Sequence, residues 1–133
     1  MFQLAVLGGG PAGYTAAERA ARAGLNVVLF EKNALGGTCL NVGCIPTKTL
    51  LYSSKLYYNA VNSNKYGVKT EGVQFEYDKI VARKNKVVRK LIAGIKAKMT
   101  NNNVTVINGA ATVVENANGV VTIACGEEQY QAE

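Results

Sequence analysis

A glycine-rich loop, with an apolar strand pattern before it and an alanine-rich helix pattern after it, limits the possible folds of this chain more than any other feature. Phe2 to Leu7 form a nearly continuous apolar run, which predicts a buried parallel strand. Pro11 then stands where a first helical turn begins, and the alanine-rich residues after it predict a helix to Ala23. Val27 to Phe30 predict a second buried strand, which ends at Glu31. Strand, helix and strand within about thirty residues predict a βαβ unit.

The loop itself carries Gly8, Gly10 and Gly13 in the spacing G-x-G-x-x-G. In this context the first glycine permits a tight turn, the second lets backbone approach a pyrophosphate, and the third allows close packing of helix on strand. The helix N-terminus points free N–H groups at the phosphates. Glu31 follows about twenty residues on, where a carboxylate can hold a ribose diol. The sequence therefore predicts a dinucleotide site, although NAD and FAD share the half that this motif binds.

The rest of the chain predicts two more helices, a third parallel strand and an antiparallel meander. Helices are predicted over Ile45–Val61 and Tyr77–Met99, a loop over Asn62–Gly72 with a short extended piece near Val68, and a strand over Val104–Ile107. Meander strands are predicted over Thr112–Val114 and Val120–Ala124, with a turn at Asn116–Gly119 and a further strand from Gln129.

Composition narrows the class of protein. A chain of 133 residues is the size of one domain. Its formal charge is +6, with the basic excess between Lys79 and Lys98, where apolar residues recur on one helical stripe. We interpret this stretch as an amphipathic helix with a solvated basic face, not a nucleic-acid surface. No apolar run is long enough for a signal peptide or membrane span, so we expect a soluble cytoplasmic protein without a membrane partner.

A close pair of cysteines, Cys39 and Cys44, lies in the stretch GGTCLNVGCIPTK. A metal site is disfavoured because the chain has no histidine and one further cysteine, Cys125, so a tetrahedral ligand set is incomplete. As a structural disulfide, the pair would close only a short loop, and the chain-entropy model predicts about 2 kcal/mol of stabilisation from it. A redox role is favoured because Cys44 stands at the expected start of a helix, where the dipole stabilises a thiolate.

Together, GGGPAG, Glu31 and GGTCLNVGCIPTK closely resemble the flavin-dependent pyridine nucleotide-disulfide oxidoreductases. Within that family the chain is most similar to the dihydrolipoamide dehydrogenases, with mercuric and glutathione reductases as close relatives. KVVRKLIAGIKAKM and VINGAATV also resemble the family's flavin domain, so the resemblance covers essentially the whole chain. The implied fold is α/β: a Rossmann-like FAD-binding domain whose parallel sheet carries the βαβ unit and an antiparallel meander, ending before the last parallel strand.

The resemblance implies a role for each matching residue. Cys39 would exchange with the substrate dithiol, Cys44 would lie beside the isoalloxazine, and Lys48 would lie near the flavin N5. Glu31 would hold the adenosine ribose, and the adenine would contact backbone near Ala111. The implied cofactor-binding residues are Gly8, Gly10, Pro11, Ala12, Gly13, Glu31, Lys32, Gly36, Gly37, Thr38, Cys39, Cys44, Lys48, Gly109 and Ala111, with no metal ligand; Cys125 is interpreted as an incidental buried or half-buried thiol.

The implied reaction is oxidation of protein-bound dihydrolipoamide to lipoamide, with electrons passing through the Cys39–Cys44 pair and FAD to NAD. The implied partners are the lipoyl domain of a 2-oxoacid dehydrogenase complex or glycine cleavage system, and a second copy in a homodimer. The family's base is a histidine of the partner subunit, and this chain has neither a histidine nor a second glycine motif. We therefore expect residues 1–133 to be the N-terminal part of the FAD-binding domain of a longer enzyme, without its NAD, central and interface domains, and inactive alone.

Two alternatives to this reaction stay open. A glutathione- or mercuric-reductase type of enzyme shares the cysteine motif and would differ in substrate. A non-catalytic nucleotide-binding or thiol-switch module would need neither a substrate nor further domains.

Overall fold

A computed structural model describes all of residues 1–133, which form two three-stranded sheets with helices packed on one of them. The predicted α/β class with a βαβ unit and a meander is confirmed. The strands are β1 (Leu4–Leu7), β2 (Val27–Glu31), β3 (Thr105–Asn108), β4 (Ala111–Ala117), β5 (Val120–Cys125) and β6 (Glu128–Ala132). The helices are α1 (Pro11–Arg22), α2 (Gly37–Asn41), α3 (Cys44–Val61) and α4 (Tyr77–Asn101), with a 3₁₀ turn at Ser63–Tyr66.

The first sheet is parallel and has the order β1-β2-β3. Leu4 pairs with Val27 and Val28 pairs with Thr105, so β2 lies between the other two strands. All five residues of β2 are buried because both faces of the strand are covered. The carboxyl ends of the three strands therefore meet at one edge, which is where ligands bind in open α/β sheets.

Alternate residues of β2 face two separate hydrophobic cores. Val27 and Leu29 belong to a core that includes Ala17 of α1 and Met99 of α4. The intervening residues of β2, Val28 and Phe30, belong to a second core with residues of the meander. The members of that second core are Val28, Phe30, Ile123, Cys125 and Ala132.

The second sheet is the antiparallel meander β4-β5-β6. Asn118 and Gly119 form its first turn with φ values of 54° and 78°, as a two-residue hairpin with two left-handed positions requires. A register shift between Val113 and Glu115 marks a bulge in β4. A parallel bridge between Phe2 and Ala132 joins the end of the meander to the segment just before β1. The predicted third meander strand is confirmed as β6.

The structure adds one helix to the predicted elements and corrects two others. Helix α2, at Gly37–Asn41, was not predicted. The predicted extended piece near Val68 is wrong: a 3₁₀ turn precedes it, and Gly67 closes that turn at φ 77°. Helix α4 continues two residues past the predicted end, to Asn101. Asn102 is its C-cap, and the side chain of Asn102 donates to the Lys98 carbonyl there. None of the helices combines the length and apolar composition needed to cross a membrane.

Candidate redox and nucleotide site

The glycine loop after β1 combines a left-handed turn at Gly8 with a close backbone contact at Gly13. Gly8 has φ 107°, which glycine adopts readily, and its amide donates to the Phe30 carbonyl over 2.8 Å. A Cβ added at Gly13 would lie 1.8 Å from the Gly8 carbonyl oxygen and 3.3 Å from Cγ1 of Val6. The first turn of α1 therefore lies directly on the loop, as the spacing predicted. Only glycine at position 13 permits this approach.

Helix α1 presents unpaired amide groups at its start. Pro11 occupies the first helical position, where a missing N–H costs nothing, and Gly10 is the extended residue before it. The amides of Ala12 and Gly13 donate to no acceptor in the chain. Such amides, together with the positive end of the helix dipole, form a ready anion site.

Glu31 lies at the carboxyl end of β2 and is buried, with 8% of its surface exposed. Its carboxylate accepts the Gly9 amide on Oε2 over 2.7 Å and the Asn33 amide on Oε1 over 2.8 Å. The side chain is thus fixed against the glycine loop. An ionised carboxylate has about four acceptor positions, so both oxygens retain capacity for hydroxyl donors.

A cavity of about 340 Å³ opens at the carboxyl ends of β1 and β2. It brings together residues predicted from three separate segments: Gly8, Glu31, Lys32, Gly109 and Ala111. A second cavity, of about 390 Å³, shares Glu31 and Lys32 and extends to Gly37 and Thr38. Glu31 and Lys32 therefore border both cavities.

The wall of the first cavity rests on a buried thiol. The Gly109 amide donates to the Glu31 carbonyl over 2.9 Å, and a Cβ at Gly109 would lie 2.4 Å from Sγ of Cys125. Cys125 is buried and pairs across the sheet with Ala111. It is therefore the buried thiol that the sequence predicted, packed behind the Gly109–Ala111 segment.

The cysteine motif is joined to the glycine loop by backbone contacts. The Gly36 amide donates to the Gly9 carbonyl over 2.8 Å. Gly36 and Gly37 have φ values of 99° and 58°, and a Cβ at Gly37 would lie 2.8 Å from Cα of Gly10. The two motifs that are more than twenty residues apart in sequence thus form one backbone unit.

The two cysteines lie on consecutive helices and are both free thiols. Cys39 belongs to α2 and is partly buried against the first core, whereas Cys44 is the exposed first residue of α3. The pKa of the Cys39 thiol is raised above its usual value. The main cause is a side-chain hydrogen bond with Cys44, and burial of the thiol is the second cause. The ammonium of Lys48, one helical turn after Cys44, acts on Cys39 in the opposite direction and lowers that pKa.

The predicted residues fall into two groups linked by the glycine turn. Gly8, Glu31, Lys32, Gly109 and Ala111 line the first cavity, and Cys39, Cys44 and Lys48 form the thiol cluster. Sequence reasoning missed Gly9, Asn33 and Asn41, which hold Glu31 and the Gly36–Gly37 turn through hydrogen bonds. The signals available for two of them were the middle glycine of the run at 8–10, which is Gly9, and the asparagine inside the cysteine motif, which is Asn41.

Comparison with known proteins agrees with this geometry. The sequence profile described as "Pyridine nucleotide-disulphide oxidoreductase" matches residues 2–132. The chain belongs to this family. It is 45% identical over 128 residues to a dihydrolipoyl dehydrogenase of Zymomonas mobilis subsp. mobilis, covering 96% of this chain and 28% of that protein. It is 46% identical over 121 residues to a dihydrolipoyl dehydrogenase of Acholeplasma laidlawii, covering 90% and 36% respectively.

Solved structures show the same fold. The crystal structure of LpdA from Mycobacterium tuberculosis matches with a TM-score of 0.83 at 24% identity, over 99% of this chain and 30% of that one. RclA from Escherichia coli, a HOCl-induced flavoprotein disulfide reductase solved as a Cu(II) complex, matches with a TM-score of 0.77 at 29% identity, over 98% and 26%. The chain spans about a quarter to a third of the length of the curated relatives it matches.

FAD is the cofactor of this family, and the residues present fit it. The unpaired amides of Ala12 and Gly13 suit a pyrophosphate, and the glycines leave room for its close approach. The buried carboxylate of Glu31 and the cavity beside it suit an adenosine. The expected family, fold and cofactor are confirmed.

Proposed function

We propose that this chain provides the FAD-binding and dithiol-exchange part of a dihydrolipoyl dehydrogenase. The observation that carries the proposal is the backbone junction between the two motifs, in which the Gly36 amide bonds the Gly9 carbonyl and Gly37 lies against Gly10. This junction holds a reactive cysteine pair at a fixed place beside a nucleotide loop. The names of the curated relatives support the dihydrolipoyl substrate.

The proposed chemistry of the cysteine pair is thiol–disulfide exchange. One substrate sulfur attacks Sγ of Cys39 in the oxidised pair, the Cys39–Cys44 bond breaks, and Cys44 leaves as a thiolate. The second substrate sulfur then attacks the first, which closes the substrate disulfide and releases Cys39 as a thiol. The pair gains two electrons, one of the two substrate protons ends on Cys39, and the other goes to the catalytic base. The hydrogen bond with Cys44, which raises the pKa of Cys39, favours this protonated form, and the charge of Lys48 offsets it in part. FAD, when bound, supplies the acceptor through which these electrons reach NAD.

The remaining residues of the site would hold and orient FAD. The first-turn amides at Ala12 and Gly13 would donate to its pyrophosphate, and Glu31 would accept the ribose hydroxyls. The Gly109–Ala111 segment and Lys32 line the cavity proposed for the adenosine end. Thr38, the residue before Cys39, lines the neighbouring cavity.

We further propose that the chain works within a longer polypeptide that forms a homodimer and accepts the lipoyl domain of a 2-oxoacid dehydrogenase complex or glycine cleavage system. The greater length of the relatives supports this proposal. Helix α3 also exposes large apolar side chains, including Leu51 at 61% and Tyr58 at 60%, which suit a covering domain. The catalytic base would come from that additional polypeptide, because this chain has no histidine. A cytoplasmic location stays a prediction.

The decisive experiment is an activity assay of the full-length protein with three substrate pairs: dihydrolipoamide with NAD, glutathione disulfide with NADPH, and mercuric ion with NADPH. We expect turnover with dihydrolipoamide and NAD. Cys39→Ser and Cys44→Ser should each lower that turnover at least about a thousandfold, because the pair acts as a unit. Cys125→Ser is the control for loss of a thiol outside the exchange pair, and the turnover of each variant is expressed per bound FAD because Cys125 lies behind the Gly109–Ala111 wall.

Each other result has a definite meaning. Turnover with one of the NADPH pairs alone would assign the protein to a different member of the family. Absence of turnover with all three pairs, despite bound FAD, would favour a non-catalytic module. Reduction by two electrons should also produce a long-wavelength absorbance from a thiolate beside the flavin. Persistence of this band in Cys44→Ser would remove Cys44 from its assigned position.

A further inference from the structure

Helix α2, which carries Cys39, is too short to be stable by itself. It has five residues, no side-chain hydrogen bond at its N-terminus, and a left-handed residue, Gly36, as its N-cap. Its first residue, Gly37, also has a positive φ of 58°. Isolated helices shorter than about twelve residues are marginal in water. The position of Cys39 therefore depends on contacts that fix the two ends of α2.

The side chain of Asn41 makes those contacts. Its Nδ2 donates to the Gly37 carbonyl over 2.9 Å and to the Leu35 carbonyl over 3.2 Å. These carbonyls lie on either side of Gly36, the residue whose amide bonds the glycine loop at Gly9. One partly buried amide group thus ties the last residue of α2 to both sides of the turn that begins it.

We propose that Asn41 is a positioning residue for the exchange cysteine: by closing the Leu35–Gly37 turn onto α2, it holds Cys39 opposite Cys44. This inference rests on the proposed thiol-exchange function. Asn41 contacts none of the reacting sulfur atoms through a hydrogen bond. Its effect passes through the helix, since Cys39 lies between Gly37 and Asn41. Rigid placement of reacting groups is what gives an intramolecular reaction its high effective concentration.

Two other asparagines provide matched controls. Asn62 ends α3 and donates to the Tyr58 carbonyl, and Asn102 ends α4 and donates to the Lys98 carbonyl, each over 2.8 Å. These bonds have the same four-residue spacing as the bond from Asn41 to Gly37. Each control asparagine bonds a single carbonyl, however, and neither belongs to the thiol cluster. Loss of helix capping alone should therefore be equal at all three sites.

The test is the redox equilibrium of the cysteine pair in the full-length protein. Asn41→Ala and Asn62→Ala are each equilibrated with a series of ratios of reduced to oxidised dithiothreitol, then alkylated and analysed by mass spectrometry of the cysteine peptides. In this equilibrium dithiothreitol loses two electrons and two protons as its ring disulfide forms. The Cys39–Cys44 bond breaks, and its two sulfurs become thiols. The alkylation of Cys125, which is buried, reports any general loosening of the fold.

We expect Asn41→Ala to shift the equilibrium about tenfold toward the dithiol, because a less ordered Cys39 meets Cys44 less often. That shift corresponds to about 30 mV in potential. Asn62→Ala should stay within twofold of the unsubstituted protein. Asn41→Gln, which keeps a donor on a longer side chain, should recover part of the shift. Cys125 should stay protected in all variants.

Equal equilibria for Asn41→Ala and Asn62→Ala would overturn the proposal, as would a shift accompanied by rapid alkylation of Cys125. The proposed function fails by a different result, since it would be lost if the unsubstituted protein did not oxidise dihydrolipoamide. An Asn41→Ala shift in a protein without that activity would keep the positioning role and reject only the substrate.

Discussion

The glycines at the nucleotide end of the molecule and those in the meander serve different physical purposes. Gly13 and Gly37 approach other backbone atoms so closely that a Cβ would lie 1.8 Å and 2.8 Å from them. Gly119 and Gly126 of the meander have φ values of 78° and 62°, yet a Cβ at either would meet nothing within 4 Å. In the meander, glycine only permits a turn. At the site, Gly13 and Gly37 permit contact between two backbone segments.

This difference shows which glycines the site requires. Turn glycines can be replaced at the cost of backbone strain alone, which the rest of the structure tolerates. Contact glycines can be replaced only if one backbone segment moves away from another. Since the segments in question are the nucleotide loop and the cysteine motif, such movement alters the site itself. Three substitutions separate these two kinds of effect, and a pH titration then compares the site with the meander.

The largest effect is expected for Gly13→Ala. Its Cβ would overlap the Gly8 carbonyl oxygen, so α1 must move off the loop, at a cost of about 3 kcal/mol or more in unfolding free energy. FAD binding should be lost as well, because the first-turn amides move with the helix. Urea unfolding and flavin content of the purified full-length protein check both points. A variant with normal stability and flavin content would contradict the contact seen here.

A smaller effect on stability is expected for Gly37→Ala. Its Cβ would press on Cα of Gly10, and its φ of 58° is unfavourable for alanine, which together cost about 2 kcal/mol. Because the junction between the two motifs must open, we expect FAD affinity to fall about tenfold or more in addition. Flavin fluorescence titration of the apoprotein measures this. Unchanged affinity would show that the junction does not shape the nucleotide site.

Gly119→Ala is the matched control for the turn glycines. It carries a similar positive φ but no close neighbour, so we expect a loss of about 1 kcal/mol in unfolding free energy. FAD affinity and turnover should stay unchanged, since this turn lies at the tip of the β4–β5 hairpin. A fall in FAD affinity equal to that of Gly37→Ala would break the distinction between the two classes of glycine.

The smallest effect is a dependence of stability on alkaline pH, with one titrating group in each region. A hydrogen bond with Cys44 raises the pKa of Cys39 in the site, and a hydrogen bond with Glu128 raises the pKa of Tyr130 in the meander. A raised pKa means that the folded state binds the proton more tightly. The stabilisation is therefore complete below the unfolded-state pKa values, about 8.5 and 10, and is lost as pH rises above them.

Unfolding free energy measured from pH 7 to pH 11 checks this expectation. Cys39→Ser should flatten the lower part of the decline, and Tyr130→Phe should flatten the upper part. Tyr130 also packs edge-on against Phe30, a contact that phenylalanine retains. A decline identical in both variants and the unsubstituted protein would assign it to other groups.

Much of the fold was predictable because local signals agreed with each other. The apolar run before Gly8, the proline at position 11 and the buried run after Asn26 each favour one element, and together they favour one topology. Helix α2 was not predictable, because a five-residue segment that begins at Gly37, directly after Gly36, is too short to show helical periodicity. Its stability comes from the side chain of Asn41 and from contact with the glycine loop. That loop is more than twenty residues away in sequence.

The sequence predicted which residues belong to the site. It did not predict the contacts that these residues make. The resemblance supplied roles for Glu31 and the cysteines, but no pattern indicates that the Gly9 amide bonds the Glu31 carboxylate. The close approach of Gly109, in the connection between β3 and β4, to Sγ of Cys125 on β5 likewise depends on how the meander packs. Such contacts depend on how the two sheets pack together. No local sequence pattern encodes that packing.

Strand β2 has a consequence for how the molecule unfolds. Because its alternate residues belong to both hydrophobic cores, neither core can open without exposing one face of the same five-residue strand. The helical layer and the meander should therefore behave as one cooperative unit, not as two subdomains. In hydrogen exchange, the amides of β2 should be the last to exchange, and they should do so only by global unfolding. A nucleotide bound at the end of this strand would slow their exchange in proportion to its affinity.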